Sequence, residues 1–410
     1  MVKSGIQTTV LNLGDISTCP LLDGLADNGC FSIPPIQRQY QWGPGEADKD
    51  TKNRSAREFL EDTITFLRLS ARKSDPYYIG TMIVYSENKT PDGQYELMDG
   101  QQRWTTITAL MGIIYHLLDQ DQTGSTWTRE MNEIKKKFLL NDQGDAMLSS
   151  DRIFDDYVIK KLSNFSGHFD ISELNPVNMP GTPSSPIPNQ QYNTEIGTFQ
   201  GTNLFCVSSY FLERIKQEFN IHGPFDSRDE LVNYYRCLRS QLFLNLTMAP
   251  SSRVAYKMFV TANARGTALT NFDIFRGLVI ARELEGGWGK SKHYKDAFDK
   301  ATTTLQQYLS LFAESDAAKK TDGIMSEATS IVVGKITDSS SVMAVLEKII
   351  KISDEHVKLN NLCQFVFSYL GFKLHLAQGK QLPGKRAHRR LVYAGFSQHE
   401  PIYIAALMKW

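Results

Sequence analysis

The spacing of apolar residues changes several times along the chain. Between Ser55 and Arg68, Leu60, Ile64 and Leu67 return at helical spacing, and Ser55 with Glu58 reads as a capping box. The run Tyr77 to Ser86 (YYIGTMIVYS) is β-branched and aromatic and predicts a strand. Pro91, Asp92 and Gly93 supply a turn, and Gln94 to Met98 a short return strand. Asp99 and Gly100 then end the β pattern. From Gln101 the period becomes 3.6, with Trp104, Ile107, Met111, Ile114 and Leu118 on one face of a long amphipathic helix.

Beyond that helix the pattern is mostly helical. Arg129 to Leu140, Leu204 to Phe219 and Arg228 to Arg239 read as helices, and Leu242 to Met248 as a strand. Ser252 to Ala262 and Phe272 to Glu285 read as a helix pair around Asn263–Gly266. After Gly286-Gly287, helical spacing returns over Tyr294 to Phe312, Val342 to Ile352 and Leu359 to Leu376. Two stretches break the pattern: a polar loop from Gly43 to Lys52, and a segment from about Gly167 to Gly201. The second holds Pro176, Pro180, Pro183, Pro186 and Pro188 among polar residues and reads as a long inserted loop. The expected class is α+β, with a domain over 1–285 and an all-helical domain over 286–410.

Composition narrows the classes. At 410 residues, 41% hydrophobic and 22% charged, the chain can bury a sizeable core and is neither fibrous nor a disordered tail. No apolar run reaches about 18 residues, and the amino terminus lacks the apolar stretch of a secretory signal. Five scattered cysteines (Cys19, Cys30, Cys206, Cys237, Cys363) contain no C-x-x-C pair, so neither a disulfide framework nor a zinc knuckle is expected. The expected setting is cytoplasmic, away from membranes. Lys+Arg and Asp+Glu are both 45, and this balance confines any nucleic-acid contact to a local patch.

Three clusters carry candidate chemistry. Asp99-Gly100-Gln101-Gln102-Arg103 lies where a strand meets a helix. A helix amino terminus has unpaired N–H groups and partial positive charge, which suits a phosphate. Gly100 permits close backbone approach, Arg103 can fork two phosphate oxygens, Gln101 and Gln102 can position a water or a base edge, and Asp99 can hold a divalent ion. The plainer alternative is that Asp99 caps the helix and Arg103 pairs with it. In Ile33 to Trp42 (IPPIQRQYQW), alternation would put Arg38, Tyr40 and Trp42 on one face and Gln37, Gln39 and Gln41 on the other. Arginine beside aromatic rings suits a phosphate-plus-base site; the alternative is an edge strand whose rings pack on the core. The third, Phe259-x-x-x-Asn263-x-Arg265-Gly266-x-x-Leu269-x-x-x-Asp273, alone is a helix–turn–helix corner with a structural job.

Together, Q-R-x-Y-x-W, the strand with Ile79-Gly80-x-x-Ile83-Val84, D-G-Q-Q-R-x-T-T and N-x-R-G-x-x-L-x-x-x-D resemble the amino-terminal domain of GmrSD-type modification-dependent (type IV) restriction enzymes, found also in SspE-type antiphage proteins. The match covers roughly residues 30 to 285. It implies a small ParB/sulfiredoxin-like α/β core followed by a large helical region. It also implies hydrolysis of a nucleoside triphosphate, with Mg2+, coupled to sensing of modified phage DNA, and a separate HNH nuclease domain. By position, Asp99, Gln101, Gln102 and Arg103 would form the hydrolytic site, with Asp99 on the metal. Gln37, Arg38, Tyr40, Trp42 and Gly100 would line the nucleotide or DNA cleft, and Asn263, Arg265 and Asp273 would close it.

Ile36 stands where the family often has an aromatic, and the Pro-rich insert is not a family hallmark. No HNH metal site is legible, since His388 and His399 lack the required spacing. The nuclease is therefore expected on a continuation of the chain or a partner subunit, and cleavage by this chain alone is not expected. A non-hydrolysing nucleotide- or DNA-binding regulatory module is the alternative function, and the sequence does not decide on a homo-oligomer. The basic run Lys380 to Arg390 reads first as a solvated loop, Lys135 to Lys137 as a solvent face, Cys206 and Cys363 as core, and His116 as a packed or surface residue.

Overall fold

Strands form where β-branched and aromatic residues alternate with polar ones. In chain order they are Gln7–Asn12 (β1), Cys30–Ile33 (β2), Tyr77–Tyr85 (β3), Gln94–Asp99 (β4), Leu148–Ser150 (β5), Tyr192–Asn193 (β6), Thr198–Phe199 (β7) and Leu242–Met248 (β8). Six of them align as β1-β8-β3-β4-β2-β5, while β6 and β7 pair separately. β1 with β8 and β3 with β4 run antiparallel; β8 with β3, β4 with β2, and β2 with β5 run parallel. A mixed sheet with helices makes the fold α+β. The computed structural model describes residues 5–34, 37, 40–45, 55–70, 76–86, 93–121, 123, 127–150, 153–163, 170–174, 192–193, 198–199, 203–251, 254–255, 258–259, 270–285, 293–309, 311, 317–333, 337–338, 340–342, 344–346, 348 and 356–378.

The helices accompanying the sheet are Ser55–Ser70 (α1), Gln101–Asp119 (α2), Thr128–Ile134 (α3), Ile153–Ser163 (α4), Asn203–Glu218 (α5) and Asp229–Gln241 (α6); α3 runs on as a π turn over Lys135–Leu139. Here α2 departs from the amphipathic expectation. Gln101, every residue from Trp104 to Ile114, and His116 to Leu118 are buried. The cause is packing on several sides at once. Trp104 meets Phe31 of β2 edge-on at 5.4 Å, and α3, α4 and α5 pack around the rest. Gly112 admits α4 closely, since a Cβ there would lie 3.3 Å from Leu162. A helix apolar nearly all round is the mark of a central helix. His116, buried in it, has its imidazole pushed down to about 2 by desolvation.

The chain divides into two compact units at Phe259 and Val260. In the second unit, Asn271–Glu285 (α7), His293–Leu309 (α8), Ala317–Val333 (α9) and His356–Ala377 (α10) share a separate apolar core that includes Phe272, Phe275, Phe298, Met325 and Val366. The helix before residue 286 therefore belongs with the later helices rather than with the domain expected over 1–285. Among the described residues no helix is long and apolar enough to cross a membrane. No cysteine forms a disulfide; Cys363 is buried, whereas Cys206, expected in the core, is only half-buried. The basic run 380–390 lies outside the described residues.

Candidate functional site

The site is built where β4 hands over to α2. Gly100 takes a left-handed conformation, φ +86°, at the N-cap, and a Cβ there would stand 3.0 Å from the Thr81 carbonyl oxygen of β3. Glycine is needed for both reasons, conformation and approach. The Asp99 carboxylate bonds the residue that follows it, Oδ1 accepting the Gly100 N–H at 2.7 Å. Burial pushes its pKa up, against the pull of the Arg103 guanidinium and that N–H. The expected alternative, a simple Asp99 cap, is not what forms: the N-cap is Gly100, and no side chain caps it.

Arg103 reaches from the first turn of α2 across β3. Its Nη1 donates to the Thr81 carbonyl at 2.6 Å. Below the guanidinium lies Gly80, at φ +105°, where the pairing of β3 with β8 shifts register between Tyr78 and Thr81. A Cβ on Gly80 would stand 2.7 Å from Nη1, so the bulge is shaped for the guanidinium. Gly80, Thr81, Gly100, Arg103 and Trp104 line a crevice with room for about one water. Any larger ligand has to lie over its rim.

The second cluster comes to the same place. Gln37 is buried and donates from Nε2 to the Met98 carbonyl of β4 at 2.5 Å. Tyr40 is 3% exposed. Its hydroxyl meets Thr106 Oγ1 at 2.7 Å, and because that oxygen donates to the Gln102 carbonyl, Tyr40 is the donor. Burial pushes the phenol pKa up. Tyr40 is thus part of the scaffold, its ring packed in the core as the alternative reading had it, although no strand forms here. Trp42 is partly buried against the same core. The backbone N–H groups of Gln41 and Trp42 both donate to Gln102 Oε1, at 2.7 and 3.2 Å. Gln101 is buried at the helix start, 5% exposed.

Of the third cluster, Asp273 is described, and it belongs to the second unit. Asp273 Oδ2 accepts from the N–H and hydroxyl of Thr270 at 3.1 and 2.8 Å, and Thr270 Oγ1 accepts the Asp273 N–H at 3.3 Å. That reciprocal pair caps α7 within the second unit. Arg38, Asn263 and Arg265 lie outside the described residues.

Sequence reasoning missed several residues that shape the site. Asp155 of α4 accepts the Tyr40 N–H at 3.0 Å. Arg57 of α1 donates to the carbonyls of Pro44 and Gly45 at 2.5 and 2.9 Å, and lies over the Tyr210 ring at 4.6 Å. Asn203 Nδ2 donates to the Gln41 carbonyl at 3.2 Å. Only Gly80 left a signal, a glycine inside a strand pattern, which marks a bulge or a close approach. Among the described residues no three His, Cys, Asp or Glu side chains converge as a metal site.

Comparison with known proteins gives one family. Residues 20–280 match the family model described as the GmrSD restriction endonuclease N-terminal domain, across the division at Phe259. No curated protein matches the chain.

Proposed function

Because the chain belongs to the family of the GmrSD restriction endonuclease N-terminal domain, we propose that it serves a type IV restriction system by binding and hydrolysing a nucleoside triphosphate. The observation that carries this reading is the β4–α2 juncture. A 19-residue helix begins there at a left-handed glycine, and its first turn bears an arginine seated by a single carbonyl among the described residues. The helix end favours an anion, and a guanidinium has five N–H donors, of which the seat uses one. The phosphates would lie over the rim of the crevice, against the first turn of α2 and Arg103.

A magnesium ion fits the same place. Asp99 Oδ1 is held by Gly100, and Oδ2 makes no hydrogen bond among the described residues. Magnesium takes one or two carboxylates and completes its shell with phosphates and water. When bound it would neutralise phosphate charge, and it would also offset the burial that disfavours the Asp99 carboxylate. Modified phage DNA would be the signal, and an HNH nuclease domain or subunit the effector. Control would pass through the nucleotide state.

One observation favours a second reading, a module that binds nucleotide or DNA without turnover. The Gln102 oxygen, expected in hydrolysis, is engaged by the protein's own backbone. Phosphate release from the purified chain with magnesium and each common triphosphate, with and without modified DNA, separates the two. Turnover above a no-enzyme control supports hydrolysis; saturable binding without release transfers the case to the module.

A further inference from the structure

The segment from Tyr40 to Gly45 forms no strand and no helix, so its backbone groups must be satisfied from outside. Side chains of four helices do this. Asp155 of α4 holds the Tyr40 N–H, Asn203 of α5 the Gln41 carbonyl, and Arg57 of α1 the Pro44 and Gly45 carbonyls. From α2, Gln102 Oε1 receives two successive N–H groups, those of Gln41 and Trp42. A side-chain carbonyl oxygen has two lone pairs. Both are filled here, which leaves Oε1 no acceptor capacity for an attacking water or a base edge.

We propose that Gln102 is a positioning residue: its amide oxygen locks Gln41 and Trp42 onto the first turn of α2 and so fixes the wall of the triphosphate site. The identity of that site rests on the proposed function, whereas the lock rests on geometry alone. Two N–H groups converging on one oxygen fix the backbone angles between them, an arrangement otherwise used to hold an anion. The lock thus sets how far Trp42 stands from the helix end where phosphate would lie.

Two substitutions and two readouts test it on the full chain. Gln102→Met keeps length and removes the acceptor; Gln102→Glu keeps an acceptor of the same reach. In Gln102→Met, hydrogen exchange at the Gln41 and Trp42 amides should quicken about tenfold or more, as protection by those bonds is lost. The KM for triphosphate should rise about tenfold, because the seated wall becomes a minor population, while kcat stays within about threefold. Gln102→Glu should keep both amides protected, even where its added charge weakens triphosphate binding. Unchanged protection in Gln102→Met, exchange in Gln102→Glu as fast as in Gln102→Met, or a defect confined to kcat overturns the proposal. A wild-type chain that releases no phosphate sinks the proposed function alone, and exchange in the unliganded chain still decides for or against the lock.

Discussion

Replacing Gly80 by alanine puts one methyl group where the Arg103 guanidinium sits. Two costs follow. At φ +105° a side chain is strained, by about 1–3 kcal/mol. The new Cβ would also stand 2.7 Å from Nη1, closer than real Cβ contacts come, and 3.0 Å from the guanidinium carbon. Arg103 must then leave its seat and give up the 2.6 Å bond to Thr81, worth about 1.5–3 kcal/mol for a charged donor and less where it is solvated. The expected total is about 2–5 kcal/mol. Only the backbone part survives when Arg103 is already alanine, so the two changes should be coupled. Urea unfolding followed by tryptophan fluorescence on wild type, Gly80→Ala, Arg103→Ala and the double mutant measures that coupling. The expected value is about 1–2 kcal/mol, with the double mutant more stable than the sum of the singles implies. Additivity within about 0.5 kcal/mol would refute the seat.

Tyr40→Phe should cost about 1 kcal/mol, because it removes only the hydroxyl that meets Thr106, and Tyr40→Ala about 3–5 kcal/mol as a deleted core aromatic. Thermal melts check both, and a stable Tyr40→Ala that loses only ligand binding would restore the ring to a ligand face. His116, pushed down to about 2 when folded against an unfolded value near 6.5, keeps its stabilising contribution above about pH 6.5 and loses it progressively as pH falls towards 2. Over pH 6 to 4 this one group should remove roughly 1.4 kcal/mol per pH unit, and His116→Gln should flatten the curve by that much. An unchanged acid slope in the variant would contradict the burial of a neutral imidazole.

Much of the site's frame could be read along the chain, because its punctuation is local. The switch from Gln94–Asp99 to Gln101–Asp119 is announced by Asp99-Gly100, and Leu242–Met248 stands out by its alternation. Strands β2 and β5, of four and three residues, are too short to show a period, yet they complete the sheet beneath Trp104. The helix Ala317–Val333 is not legible in the spacing because Gly323 and several serines and threonines dilute its apolar face. The orientation of Tyr40 is not legible along the chain, for a different reason. Alternation assumes a strand, whereas the structure holds that segment by Asp155, Arg57, Asn203 and Gln102, partners distant in sequence that no spacing rule connects. The aromatic and polar residues mark a segment that bonds to the first turn of α2, and its orientation depends on helices later in the chain.

The most direct test of the central claim is steady-state phosphate release by wild type and Arg103→Ala, with magnesium, alongside melting curves for both. Arg103 begins a helix stabilised by burial from Trp104 onward, so the variant should stay folded. If the guanidinium meets the phosphates, wild type should release phosphate and the folded variant should be slower by about a hundredfold or more, as for loss of a preorganised electrostatic contact. Turnover by a folded Arg103→Ala equal to that of wild type would contradict the account.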